Sequence, residues 1–425
     1  VNTDHLIIGN SAGGIGAAEA IRNVDTAVSI IMVSEEPYPV YSRPLISEYL
    51  SHDRDIEGML YRPADFYKNH SIQLFLGKKA LSINTRQCMV KMDSGEDIYW
   101  KHLLIATGGK PIIPSVTGKD KKGVFSFLSI NDAKEIDAYL ARGSVKRAVV
   151  IGGGLIGISV SQALRERNID VTIVEMKDRI LNTILDETTS AIACSAVKGS
   201  GVKIITGNTV KDINGHAAVH SVTLDSGERI ECEIVIMAIG VLPRIELAEN
   251  TGINLNRGIV VDRHMMTNIP HIYACGDVAE SYDFVLDANR LTPLWPNAYI
   301  GGRTAGFNMA GVATEYKGGT AMNSINYFGL SIATAGLVYA PEGRKEFDTL
   351  IKNDEHGYRK VIVNENRIAG LILSGDIDKA GILFGLMREN IDISTFKSSL
   401  LADDFGLAYL PASIRKEQLG EFAAQ

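Results

Sequence analysis

Twice in this chain a short apolar run stops abruptly in a cluster of glycines. Leu6-Ile7-Ile8 runs into Gly9-Asn10-Ser11-Ala12-Gly13-Gly14, and Ala148-Val149-Val150-Ile151 runs into Gly152-Gly153-Gly154-Leu155-Ile156-Gly157. A run that is apolar at every position reads as a strand buried on both faces of a parallel sheet, and the glycines let it turn sharply into a helix. A helical pattern over residues 15–22 follows the first turn and leads to a strand at 28–33. A second pattern over 158–167 leads to a strand at 171–174. The chain therefore carries two βαβ units, and with no shorter period visible it is two related α/β domains rather than a solenoid.

Length leaves room for more. At roughly 150 residues per domain, 425 residues predict about three domains. Hydrophobic residues make up 45% and charged residues 22%, which excludes wholesale disorder and fibrous repeats. Forty-one glycines exceed the usual ~7%, so several need a tight turn or a close ligand as their reason. Fifty acids against 43 bases give a net charge of -7 without any dense basic block, which argues against nucleic acid as a partner. Cys88, Cys194, Cys232 and Cys275 lie far apart, with no C-x-x-C pair and no metal-ligand spacing. The expectation is a reducing cytoplasm and no metal site. The sequence passes straight into Asp4-His5-Leu6 without a basic and then apolar leader, and no apolar run approaches the ~18 residues of a membrane span, so export and a membrane are not expected.

Between the two units lies a strand-rich stretch ending in Leu103-Leu104-Ile105-Ala106-Thr107-Gly108, then a Pro-, Gly- and Lys-rich connection at 109–122 where a domain crossing is expected. A second crossing follows Ile234-Val235-Ile236-Met237-Ala238-Ile239-Gly240, where Pro243 should prevent the strand from continuing. Composition shifts again near Gly318-Gly319. Beyond it, 323–335, 358–363 and 367–373 read as strands and 380–390 as an amphipathic helix.

The second glycine turn fills every position of G-x-G-x-x-G. Gly152 allows the turn, Gly154 lets the backbone approach a pyrophosphate, and Gly157 lets helix pack on strand, with the amides of Leu155 and Ile156 at the helix start. Glu175 ends the next strand, where a carboxylate accepts both ribose hydroxyls and repels a 2′-phosphate, favouring NAD(H) over its phosphorylated form. The first turn is less regular, because Ser11 stands where the second glycine belongs. Its acid is Glu35 or Glu36, at a spacing a few residues long.

Two such turns, with the second unit inserted into the first domain, resemble the FAD/NAD-linked pyridine-nucleotide oxidoreductases of the glutathione-reductase fold. Ala106-Thr107-Gly108 is similar to the motif where the chain leaves the FAD domain, and Ala238-Ile239-Gly240-Val241-Leu242-Pro243 to its counterpart leaving the NAD domain. Ile272-Tyr273-Ala274-Cys275-Gly276-Asp277 resembles the second FAD motif, whose Asp bonds the ribityl chain. The same residue could equally cap a helix. Leu294-Trp295-Pro296-Asn297-Ala298 precedes a helix that in the family aims its positive end at the flavin. Trp295 either borders the ring or is an interface aromatic. The resemblance implies an FAD domain in two parts (1–113 and 243–320), an NAD domain (114–242) and an α+β interface domain (321–425). It also implies FAD contacts from Gly9, Ser11, Ala12, Gly13, Gly14, Ala80 and Gly108.

Branches of this family differ in what receives electrons. Disulfide reductases carry a C-x-x-x-x-C pair and a C-terminal His-Pro, and related oxidases and coenzyme A-disulfide reductases carry one cysteine some 33 residues after the first glycine; here that place reads Tyr41-Ser42-Arg43-Pro44. The stretch from Glu36 to Leu45 resembles NADH:rubredoxin and NAD(P)H:ferredoxin reductases and the flavin part of nitrite reductases, which implies that Arg43 meets the FAD pyrophosphate. Two departures stand out. Ser159 replaces a common Glu after the NAD turn, and Glu48 replaces the Lys that often pairs with it. With that pair absent, the expected nicotinamide contacts are backbone, apolar groups and the Ser159 hydroxyl.

The expected activity is electron transfer between NADH and a ferredoxin- or rubredoxin-type iron–sulfur protein, alone or within a larger redox complex. An NADH oxidase or coenzyme A-disulfide reductase is the enzymatic alternative, and a flavin-bearing interaction subunit the non-enzymatic one. Lys78, Lys79, Lys119, Lys121 and Lys122 read as solvated loop charges before a docking patch. The stripe Ile382-Leu383-Leu386 suits core packing first and a homodimer contact second, and Asp403-Asp404-Phe405-Gly406 reads as a turn.

Overall fold

The computed structural model describes residues 1–412, 414 and 415. Its first unit is β1 (Asn2–Ile8), α1 (Ala12–Val24) and β2 (Ile30–Ser34), a parallel βαβ. α1 begins three residues earlier than the apolar pattern announced, because Ser11 is extended (φ -130°) and the small residues behind it enter the helix directly. β2 begins two residues later than expected: the Asp25 carboxylate accepts from the Ala27 and Val28 amides and holds them in a turn. Next come α2 (Ile46–Ser51), α3 (Phe66–Asn69), β3 (Ile72–Leu76), β4 (Ala80–Asn84), β5 (Met89–Met92) and β6 (Asp97–Ile105). The strands order as β3-β2-β1-β6-β5-β4, with Leu6, Ile7, Leu103 and Leu104 wholly buried at the centre.

A second unit follows: β7 (Gly109–Pro111), β8 (Val124–Ser126), α4 (Ile130–Leu140), β9 (Arg147–Ile151), α5 (Leu155–Glu166), β10 (Asp170–Glu175), α6 (Glu187–Gly199) and β11 (Lys203–Thr206). A small meander, β12 (Val210–Asn214), β13 (Ser221–Leu224) and β14 (Arg229–Glu231), precedes β15 (Ile234–Met237) and β16 (Val241–Pro243). The parallel sheet runs β11-β10-β9-β15-β8. Both crossings meet in a two-stranded ribbon, with Gly109 opposite Pro243 and Pro111 opposite Val241. Pro243 therefore closes a short second strand; β15 itself has already ended before Gly240, whose φ of +126° turns the chain.

The chain then returns through β17 (Ile259–Val260), β18 (Ile272–Ala274), β19 (Ala279–Asp283), β20 (Ala288–Leu291) and α7 (Trp295–Met309). β18 pairs in parallel with β6, so the carboxyl ends of β1, β6 and β18 open on one cleft, where α1 and α7 both start. The last unit is an antiparallel sheet of β21 (Met322–Tyr327), β22 (Leu330–Gly336), β23 (Phe347–Asp354), β24 (Gly357–Asn364) and β25 (Arg367–Gly375), covered by α8 (Ala380–Arg388). The single run expected at 323–335 is a hairpin turning at Phe328-Gly329. Leu383 and Leu386 of the α8 stripe are 1% exposed, spent on this unit's own core. Asp403-Asp404-Phe405-Gly406 is a turn whose Phe405 is buried and whose Asp403 pairs with Lys352 and Arg359.

Candidate functional site

Each glycine turn forms a cradle at the carboxyl end of a parallel strand. In the first, Gly9 (φ +126°) lies so near β6 that a Cβ there would sit 2.1 Å from the Ala106 carbonyl oxygen, and one at Gly14 would sit 2.0 Å from that of Gly9. In the second, a Cβ at Gly152 (φ +107°) would sit 2.4 Å from the Ala238 oxygen and one at Gly157 1.9 Å from that of Gly152. Only hydrogen fits at these four positions. The middle position is different: Ser11 and Gly154 are both extended (φ -130° and -82°), a conformation open to any residue, and a Cβ at Gly154 meets nothing within 4 Å. The serine that breaks the first motif thus costs the backbone nothing.

The acids behave differently in the two cradles. Glu175 is 8% exposed; its Oε2 accepts from the Gly153 amide at 2.7 Å and its Oε1 from the Lys177 amide at 2.8 Å. Strand register explains the irregular spacing of the first turn. Ile8 pairs with Val33 as Ile151 pairs with Val174, so the partner of Glu175 is Ser34, and the acids come one and two residues later. Glu35 is half-exposed and accepts from Arg244 Nη1 at 2.8 Å, with Lys79 at 3.4 Å. Glu36 turns inward, where Arg43 Nη2 donates to it at 2.9 Å and the Tyr41 hydroxyl at 3.1 Å. Arg43, expected on the pyrophosphate, is shared between that carboxylate and the Leu128 carbonyl at 3.4 Å.

Around the first cradle the remaining residues converge. Cys275 is 1% exposed beside Gly13, Gly276 takes φ +75°, and Asp277 next to it is half-buried, its carboxyl raised above the usual range by burial, against the opposing charge of Arg43. Asp277 is the second residue of a 3₁₀ turn over Gly276–Val278, whose N-cap is Cys275, so it does not act as a helix cap. The first turn of α7 crosses over Gly276, with Ala298 buried, Pro296 exposed and Trp295 edge-on to Tyr61 at 5.1 Å. Thr107 donates to the Arg244 carbonyl and Gly108 (φ +69°) accepts from the Arg244 amide, so the exit from the first unit is tied to the exit from the second. Ala80 is buried at the start of β4, with Met92 as its strand partner.

These residues fit an FAD: two backbone approaches that a methyl group would fill, a helix N-terminus with no side-chain cap from Ser11, and a desolvated carboxyl facing the same cleft. The second cradle fits a dinucleotide without a 2′-phosphate, since Glu175 already faces the turn with both oxygens able to accept again. Among the described residues no group of three His, Cys, Asp or Glu side chains could hold a metal, and no helix is long and apolar enough to cross a membrane.

Neither departure noted in the sequence restores the Lys–Glu pair. α2 packs on α5, yet Glu48 accepts from Arg54 Nε at 2.7 Å on the outside of α2, and Ser159 lies half-buried one turn into α5. Lys78, Lys119 and Lys122 are exposed and Lys121 half-buried. Cys275, the cysteine of the first cradle, offers no thiol for exchange, because burial pushes it up to about 12, as it does Cys232; Cys88, just before β5, is exposed and Cys194, in α6, is partly so. Sequence reasoning missed several residues that build the cradles. Tyr67 donates to Asn10 Oδ1 at 2.7 Å and accepts from the Val40 amide, the Ile130 amide donates to the Tyr41 hydroxyl across the seam between units, and Tyr327 donates to the Leu155 carbonyl oxygen at 3.1 Å. No signal in the sequence marks them, since Tyr41, Tyr67 and Tyr327 all lie far along the chain from the turns they support.

Comparison with known proteins places the whole arrangement. The pyridine nucleotide-disulphide oxidoreductase family matches residues 3–321, and the rubredoxin NAD+ reductase C-terminal domain matches 322–391. The nitrite reductase [NAD(P)H] of Bacillus subtilis (strain 168) is 30% identical over 400 residues, covering 93% of this chain and 48% of that protein. The NADH-rubredoxin oxidoreductase of Clostridium acetobutylicum is 29% identical over 377 residues, covering 88% of this chain and 92% of that one. The solved structure of NADH:rubredoxin oxidoreductase from Clostridium acetobutylicum superposes with a TM-score of 0.76 at 27% identity, over 93% of this chain and 98% of that one. The chain spans about half the length of the first curated relatives it matches.

Proposed function

The chain belongs to the pyridine nucleotide-disulphide oxidoreductase family, and from that premise we propose that it is an FAD-dependent oxidoreductase that takes a hydride from NADH and passes electrons singly to a small iron–sulfur protein of ferredoxin or rubredoxin type. The observation that carries this is the pairing of two complete cradles with a segment, Tyr41-Ser42-Arg43, that brings no thiol to the first of them. Bound FAD supplies both the acceptance of two electrons and their release one at a time. The chain's own work is binding and orientation. Glu175 would accept from the ribose hydroxyls and repel a 2′-phosphate, the amides at the start of α5 would meet the pyrophosphate, and Asp277 would accept from the ribityl chain. The start of α7 would present its positive end to the ring, where it would favour negative charge. No acid, base or nucleophile is required of the protein for this chemistry.

We take the unit limits as 1–113 and 243–320 for the FAD domain, 114–242 for the NAD domain and 321–425 for the C-terminal domain, with the β7–β16 ribbon at both crossings in support. Four unpaired cysteines support a cytoplasmic setting. A homodimer through the last unit would use its exposed Ile351, Leu407 and Tyr409 rather than the α8 stripe. The deciding experiment is anaerobic stopped-flow reduction by NADH followed by mixing with ferredoxin, rubredoxin, oxygen or coenzyme A disulfide. Rapid bleaching of the flavin and preference for an iron–sulfur acceptor are expected. Preference for the disulfide defeats the reading, and a flavin that NADH cannot bleach leaves only a binding subunit.

A further inference from the structure

The hairpin between β21 and β22 is made of two residues. Tyr327 pairs with Leu330, and between them Phe328 and Gly329 both take left-handed backbone, φ +51° and +80°. Two consecutive positive φ values define the tight hairpin turn that matches strand twist, for which Asn-Gly or Gly-Gly is the ordinary choice. A phenylalanine at the first position is out of keeping with local preference, so something outside the hairpin holds it there.

What holds it is α5. The Phe328 amide donates to Gln162 Oε1 at 3.1 Å, and the rings of Tyr327 and Phe328 pack in one apolar cluster with Leu155 and Ile156 of α5 and Tyr49 of α2. The Tyr327 hydroxyl donates at 3.1 Å to the carbonyl of Leu155, the first residue of α5. That carbonyl lies one residue after Gly154 and one helical turn before Ser159. Burial pushes the Tyr327 phenol up to about 12, so it remains a donor throughout the neutral range. Among the described residues the first cradle has no such tie from this unit. Its helix, α1, is pressed instead on α7, where a Cβ at Gly302 would sit 2.0 Å from the Gly13 oxygen and one at Gly306 2.4 Å from that of Ala17.

We propose that the Phe328-Gly329 hairpin is a strap by which the C-terminal unit sets the first turn of α5, with Tyr327 as a positioning residue for the dinucleotide. The proposal rests on reading the second cradle as the NADH site. A hydroxyl on the Leu155 carbonyl fixes the height and tilt of the amides that follow Gly154, and a shift of a fraction of an ångström there moves the nicotinamide end of the ligand relative to the flavin. The C-terminal unit is then part of the NADH site although it touches no substrate.

The test uses the full chain loaded with FAD and compares wild type with Tyr327→Phe, which keeps the ring, and Phe328→Gly, which releases the strained position and removes the packing. NAD+ affinity is read by calorimetry, reduction by NADH over a range of concentrations in the stopped flow, and the flavin midpoint potential and thermal midpoint alongside. Tyr327→Phe should weaken NAD+ about fivefold, the size of one ordinary hydrogen bond. It should also raise the NADH concentration for half-maximal reduction by about the same factor and slow the limiting rate, because the nicotinamide end is displaced, with the flavin potential and thermal midpoint unmoved. Phe328→Gly should weaken NAD+ at least as much. Unchanged NAD+ affinity in both variants overturns the strap, as does a lowered thermal midpoint with affinity intact. Wild type that binds NAD+ but is not bleached by NADH defeats the proposed function and leaves the strap to stand or fall on affinity. Wild type that binds no NAD+ overturns both.

Discussion

The two cradles share a skeleton and differ in what stands behind it. Both turns exclude a Cβ at the first and last glycine, within 1.9–2.4 Å of a carbonyl oxygen. Behind the first, α1 is clamped to α7 along glycines, and the cradle's acids are drawn into ion pairs, Glu35 at the surface with Arg244 and Lys79 and Glu36 turned inward with Arg43. Behind the second, the acid is buried and bonded to the turn itself, and the helix is steadied from outside by α2 and by the hairpin. A cradle locked into its own sheet suits a cofactor that stays. One held by separable contacts suits a ligand that enters and leaves on every turnover.

The strongest way to break this comparison is to add the same methyl group to both. Gly14→Ala puts a Cβ 2.0 Å from the Gly9 oxygen and 3.2 Å from Ile7, in a helix that α7 prevents from retreating. Folded protein with bound flavin should not be recovered. Gly157→Ala meets the Gly152 oxygen at 1.9 Å, but α5 has softer neighbours. That variant should keep a full complement of FAD, read by its absorbance, and lose about a hundredfold in the rate of reduction by NADH, the scale of a displacement near 1 Å. Equal behaviour of the two variants would falsify the distinction.

The second unit also depends on the C-terminal unit through a buried ion pair. Lys360 Nζ donates to Asp186 Oδ2 at 3.0 Å with side chains 7% and 5% exposed, and Asp186 in turn accepts from Tyr358 at 2.8 Å and caps α6 through the Thr189 amide. Lys360→Met leaves that carboxylate buried without its cation and should cost about 3–5 kcal/mol. Since the contact lies wholly outside the first cradle, the loss should appear in calorimetry as an earlier unfolding step with flavin still bound. Adding Asp186→Asn, which keeps the cap but removes the charge, should recover most of it. If flavin is released in the same step as the NAD unit unfolds, the cradles are not braced independently.

Acid should separate them in the opposite sense. Beneath the first cradle, at mid-strand in β1 and β6, the His5 and His102 rings stack at 5.3 Å, and the Nδ1 atom of each is buried without a partner. Burial drives His5 down to about 4 and lowers His102 as well, so both are neutral when folded. An unfolded His binds a proton below about 6.5, so the stability held in this pair is complete above that pH and is lost as pH falls toward 4. For His5 the loss between pH 7 and 5 is about 2 kcal/mol. Denaturant unfolding followed by flavin fluorescence should show that slope, and His5→Phe should flatten it. A slope unaltered by that substitution assigns the acid sensitivity elsewhere.

What could be read in advance was local. Apolar runs and glycine spacing announce both βαβ units, because strand burial and turn sterics involve neighbours in sequence. The helix α4 was equally local, with Ser129 and Asp132 forming a reciprocal cap, and its signature passed unused. The misjudged features depend on distant partners. Asn323 to Ala335 reads as one strand because a Phe-Gly turn has no local signal, its conformation being stabilised by Gln162 and Leu155 of another unit. β23 escaped because its edge position leaves Asp348 and Lys352 in the pattern where apolar residues would mark a core strand. The spacing of Glu35 and Glu36 made sense only once register equated Ser34 with Glu175.

The smallest expected effect sharpens the comparison most, because it asks what the middle glycine is for. Ser11 and Gly154 share an extended backbone that tolerates any side chain, so neither Ser11→Gly nor Gly154→Ser should alter folding by more than a few tenths of a kcal/mol. If the middle glycine serves only to clear space for phosphate, the reciprocal exchange separates a bound group from a visiting one. Gly154→Ser adds a side chain whose Cβ meets no protein atom within 4 Å, and NAD+ should weaken severalfold by calorimetry. Ser11→Gly should leave FAD retention on dilution unchanged, because α1 and α7 set that cradle's depth and the serine already fits within it. Faster loss of FAD from Ser11→Gly would instead make the serine hydroxyl a ligand in its own right, and the irregular first turn an adaptation rather than a tolerated exception.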